Sequence, residues 1–141
     1  MVSANDGRRE ISLSEVFDQV PPKASVMLKI DVEGAEYSYL NDLGAWMVNS
    51  GKVTVLIVEL HDFDLRIKEV EKFVSDVAES FVVVHIHVNN YGSINSGIPS
   101  VVEMTMCPRS WVGNEKRQCL PLDGLDFPNN PSASDPVLQF I

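Results

Sequence analysis

Three apolar runs of strand length, each parted from the next by a stretch with helical spacing, leave this chain few ways to fold. Val26–Ile30, Val53–Leu60 and Phe81–Val88 are dominated by Val, Ile and Leu, and near-continuous runs of that length read as strands buried within a sheet. Between the first two, Tyr39, Leu40, Leu43, Trp46 and Met47 recur along one side of a helix over Ala35–Met47, with Gly51 as its stop signal. Between the second and third, Ile67, Val70, Val74 and Val77 mark another helix. Strands joined through helices are parallel, with right-handed crossovers. A fourth run, Val101–Met106, follows the loop opened by Asn89-Asn90-Tyr91-Gly92 and no helix, so it is expected to be antiparallel. The predicted class is α/β, with a mostly parallel sheet, a final antiparallel strand and helices on both faces.

The flanking segments add less. Ser12 and Glu15 form a capping box before a short helix that Pro21-Pro22 ends. Beyond Pro108, Gly, Pro, Asn and Ser take over, so residues 109–141 read as a loop-rich tail that packs on the 1–108 unit or trails from it. A net charge of −9, with no basic cluster larger than Arg8-Arg9 or Lys116-Arg117, argues against a nucleic-acid partner. No apolar run approaches the ~20 residues of a membrane span. Cys107 and Cys119 have neither zinc-site nor redox-pair spacing, which leaves two reduced thiols or one disulfide.

Chemistry gathers at the strand ends. Asp31 and Glu33 follow the first strand at the carboxyl edge, where α/β sheets bind ligands. Glu33 and Glu36 also lie beside a helix start, where the dipole favours negative charge by ~0.3–1 kcal/mol, so helix capping is the plainer role. Glu59 and His61 end the next strand at the same predicted edge. Glu59 with Asp31 suits Mg²⁺ or a substrate hydroxyl, and His61 is a candidate general base with an ordinary pKa near ~6.5. Surface or capping duty is again the plainer reading. His85 and His87 share a strand face and, with Glu59, would make a metal site given a further ligand; hydrogen-bonded imidazoles are simpler. Asn89 and Asn90 either contact substrate or make the turn. Asp123, Asp126 and the Pro128-Asn129-Asn130-Pro131 run suggest a defined loop without assignable chemistry.

Lys29-Ile30-Asp31-Val32-Glu33-Gly34-Ala35-Glu36 closely resembles the K-I-D-V-E-G-A-E signature of the FkbM family of S-adenosylmethionine-dependent methyltransferases. The helix at Ile11–Val20 and the acid-ended strand Val53–Glu59 fit the same pattern. The resemblance implies a Rossmann-like methyltransferase sheet and S-adenosylmethionine as cofactor. It further implies methyl transfer to an oxygen of a small hydroxylated molecule or sugar. Asp31 and Glu33 would position the acceptor or a divalent cation, Glu59 or His61 would assist deprotonation, and Asn89 and Asn90 would touch substrate. The family opens with a strand, a Gly-rich turn and a helix that hold the cofactor, and nothing before Val26 matches them. Val26–Ile30 is therefore expected to be the fourth strand of the full domain, and residues 1–108 a partial domain, truncated and inactive alone. Its first strand would then expose an unpaired edge open to self-association. The alternative is a non-catalytic interaction module that pairs through this edge.

Overall fold

The three expected strands run in one direction in the computed structural model, which describes residues 12–113, 124, 126–136 and 138. β1 (Val26–Ile30) and β2 (Val53–Leu60) are parallel neighbours, with Leu28 opposite Leu56 and Ile30 opposite Val58. β3 (Phe81–Val88) does not touch β2. A small hairpin of β4 (Ile94–Asn95) and β5 (Ile98–Pro99) follows it, and the chain then returns as β6 (Val102–Pro108), antiparallel to both neighbours. The sheet order is β1-β2-β6-β3. The carboxyl ends of β1, β2 and β3 thus lie along one edge, joined there by the start of β6. Among the described residues β1 has a partner on one side only.

α1 (Leu13–Asp18) begins with the expected capping box: Ser12 Oγ accepts from the Glu15 N–H at 3.3 Å, and the Glu15 carboxylate accepts from the Ser12 N–H at 3.0 Å. α2 (Leu40–Ser50) starts later than expected because Glu36–Ser38 forms a 3₁₀ turn ahead of it. α3 (Phe63–Val77) starts earlier, and its first turn is tied to the β6 side by the Phe63 N–H donating to the Ser100 carbonyl at 2.8 Å. Leu40, Leu43 and Met47 of α2 and Val70, Phe73 and Val77 of α3 join Leu56, Val58, Leu60, Met104 and Met106 in one buried core. Phe17 of α1 stacks on Trp46 with ring centroids 3.8 Å apart. Gly44 lets the two long helices close up, since a Cβ there would stand 3.2 Å from Val77 Cγ1.

All three described α-helices belong to that single core, which corrects the expectation of helices on both faces. The reason lies in the strand alternation. Lys29, Ile57, Thr105 and His85 sit in one row across the sheet, and Glu59, Glu103 and His87 in the next. An apolar helix laid on such a face would strand charges away from water. A polar segment covers part of it instead. Asp126 meets His85 at 2.8 Å and Asp135 meets His87 at 3.1 Å. Asn90 accepts from the Asn130 N–H at 2.6 Å and donates to the Asn130 and Ala133 carbonyls. These contacts hold Asp126, Asn130, Ala133 and Asp135 against the sheet and the loop after β3. Cys107 is free and buried, and burial pushes its thiol pKa up; Cys119 and Asp123 lie outside the described residues. Among the described residues, no helix is long and apolar enough to cross a membrane.

Candidate active site at the carboxyl edge

The turn after β1 builds the site. Glu33 (φ +53°) and Gly34 (φ +99°) are both left-handed, a conformation that glycine adopts freely and glutamate rarely. The two residues fold the chain back on itself, and the Glu33 carboxylate comes 3.4 Å from His61 Nε2 at the end of β2. Asp31 completes the group: one ligand atom from each of Asp31, Glu33 and His61 lies within 4.8 Å of the other two. The carboxylates are exposed and the imidazole is half-buried. Two strand ends and a strained turn have therefore brought two acids and a base to one point.

Beneath the imidazole lies Glu36, whose side chain is 0% exposed. Its Oε1 accepts from His61 Nδ1 at 2.7 Å and from the Gly34 N–H at 3.2 Å, while its Oε2 is buried without a partner. Burial works against a charged His61, but the hydrogen bond and charge of Glu36, with Glu59 and Glu33 adding, outweigh it and raise the pKa above its ordinary value. Tyr37 donates to the His61 carbonyl at 2.6 Å, with Arg66 over its ring at 4.3 Å. Burial, then the charge of Glu36, pushes the phenol well above its usual range, so Tyr37 stays a donor.

Glu59 lies further along the edge, where its Oε1 accepts from the Asn89 side-chain amide at 2.7 Å. Lys29 pairs with Glu103 at 2.8 Å, and that hydrogen bond raises its pKa. Of the residues picked out in the sequence, Asp31, Glu33 and His61 come together and Glu59 with Asn89 stands beside them. Asn90 is engaged by the 130–133 backbone. His85 and His87 do share a face, with rings 6.4 Å apart, but each has its own aspartate and Glu59 is committed to Asn89. Glu36 was placed by the sequence only beside a helix start. Nothing local distinguishes it from Glu33; the signal lies in the partner that ends a strand 25 residues on.

The raised His61 pKa sets the sign of a pH effect. A group whose pKa is higher folded than unfolded adds stability below the unfolded value, ~6.5, and loses it as pH rises through the folded value. The His61 imidazole resonances in metal-free buffer should therefore titrate above the ordinary histidine midpoint. Glu36→Gln, which keeps the shape and removes the charge, should lower that midpoint. An unchanged midpoint would show that Glu36 does not act on the ring.

The model of the methyltransferase FkbM domain matches residues 7–82, over half of the chain, and spans β1, the turn with Asp31 and Glu33, Glu36, and β2 with Glu59 and His61. The chain belongs to the FkbM methyltransferase family. No curated protein and no solved structure gives a significant match.

Proposed function

We propose that the carboxyl edge is the acceptor side of an S-adenosylmethionine-dependent O-methyltransferase with a Rossmann-like sheet. The observation that carries this reading is the convergence of Asp31, Glu33 and His61 at one point in a chain of a methyltransferase family. Methyl transfer to oxygen is an in-line displacement that depends on holding the acceptor in place. The acceptor oxygen bonds to the methyl carbon as the S–CH₃ bond breaks, its electron pair stays on sulfur, and the hydroxyl proton must leave. Asp31, Glu33 and His61 hold and polarise that hydroxyl, and Glu59, oriented by Asn89, receives the proton. The acceptor class is a small hydroxylated molecule or sugar, because a hydroxyl uses the acceptors and donor that this edge offers.

The described residues contain no Gly-rich strand–turn–helix unit, and the open side of β1 is where such a unit would extend the sheet. The chain alone is therefore proposed to be inactive. The test feeds methyl-labelled S-adenosylmethionine and a panel of polyols and sugars to two proteins. One is the chain alone; the other joins the chain behind the cofactor-holding strands of another FkbM-domain protein. Labelled ether formed by the joined protein only is the expected result. A joined protein that folds and binds S-adenosylhomocysteine but labels no hydroxyl would contradict the oxygen acceptor. Turnover by the chain alone would contradict the division between the two sides.

A further inference from the structure

We infer that Asp31, Glu33 and Nε2 of His61 form a divalent-cation site, with Glu36 as the residue that positions the imidazole from behind. Adjacent ligands of an octahedral ion at ~2.1 Å stand about 3 Å apart, and Glu33 Oε2 already lies 3.4 Å from His61 Nε2. Asp31 is exposed and offers a carboxylate oxygen within 4.8 Å of both other ligand atoms. Two acids near a histidine would not by themselves argue for an ion. The independent observation is Glu36. A ligating histidine almost always gives its second ring N–H to a carboxylate, which fixes the tautomer and strengthens the ligand nitrogen. Glu36 is wholly buried and makes that contact with Nδ1 at 2.7 Å, which leaves Nε2 to face Glu33 at 3.4 Å. Its other oxygen is buried with no hydrogen-bond partner among the described residues, and a dication across the ring would add to what offsets the buried carboxylate.

The donor set selects the ion class. Carboxylates suit Mg²⁺ and Mn²⁺, whereas imidazole favours transition metals; two carboxylates with one imidazole suit Mn²⁺ or a similar ion better than Mg²⁺. Three ligands on one side leave positions open on the other, where two neighbouring oxygens of a vicinal diol fit. That second step rests on the methyltransferase reading: an ion there lowers the pKa of a bound hydroxyl and leaves Glu59 to take the proton. The ion site itself does not depend on it.

Mn²⁺ titrated into the full chain and followed by electron paramagnetic resonance tests the proposal. One equivalent should bind, EDTA should remove it, and pulsed spectra should show ¹⁴N coupling from a directly bound imidazole. Asp31→Asn and Glu33→Gln, both at exposed positions, should each weaken binding at least ~10-fold, and Glu36→Gln, which is not a ligand, by ~10–100-fold. Excess Mg²⁺ should compete poorly. Absence of binding, absence of nitrogen coupling, or affinity unchanged in Asp31→Asn and Glu33→Gln overturns the site. Mn²⁺ binding in a joined protein that transfers no methyl group would leave the ion standing and remove the enzyme. Methyl transfer insensitive to EDTA would do the reverse.

Discussion

His61→Ala should destabilise the fold by about 3 kcal/mol at pH 7. The side chain of Glu36 is fully buried, and the His61 imidazole is its partner at 2.7 Å. Removing one member of a buried pair typically costs ~3–5 kcal/mol because the other is left as an uncompensated charge. Urea unfolding at pH 7 measures it. Glu36→Gln/His61→Ala should recover part of the loss at pH 7, since no charge remains buried. A loss below ~1 kcal/mol would mean that the Glu36–His61 contact does little for the fold.

Leu56→Ala is the second large effect, at ~2–5 kcal/mol. Leu56 is fully buried in β2, opposite Leu28 of β1 and Met106 of β6. Truncation leaves a cavity under the strands that set the spacing between Asp31 and His61, and sheet neighbours held by backbone hydrogen bonds cannot collapse into it. The urea midpoint should fall with an unchanged slope. A loss under ~1 kcal/mol would place the core elsewhere. The effect ties packing to function, because the site depends on the β1–β2 register and not on any contact of Leu56 itself.

The strands were legible because their apolar runs were long, and the helices because their spacing and stops were plain. Their direction followed from the connections. The single-sided helix layer was not read, although the pattern carried it: Lys29, Glu59, Glu103, Thr105, His85 and His87 alternate with the core residues. Near-continuous apolar composition masked that period of two, since Val55 and Ile57 lie on the polar side as well. The short hairpin at Ile94–Pro99 fell within a stretch read as loop, where two-residue strands leave no periodicity to detect.

The site was legible to the extent that strand ends advertise themselves. The placement of Asp31, Glu33, Glu59 and His61 along one edge follows from parallel strands, which deliver their ends to the same side of the sheet. The burial of Glu36 has no local signal, because it depends on how the 3₁₀ turn rolls its side chain under His61. The partners of His85 and His87 lie 41 and 48 residues further along the chain, in a segment without periodicity, and no local rule joins them.

If this edge activates the acceptor of a methyl transfer, as proposed, Asp31→Asn in the joined protein should show it. Asp31 is exposed, so the variant should fold as the parent does. Methyl transfer should fall at least ~100-fold, the loss that misplacing an acceptor brings, while affinity for S-adenosylhomocysteine changes by less than about 3-fold, under 1 kcal/mol. Equal transfer rates in parent and variant would contradict the account and move the acceptor away from this edge.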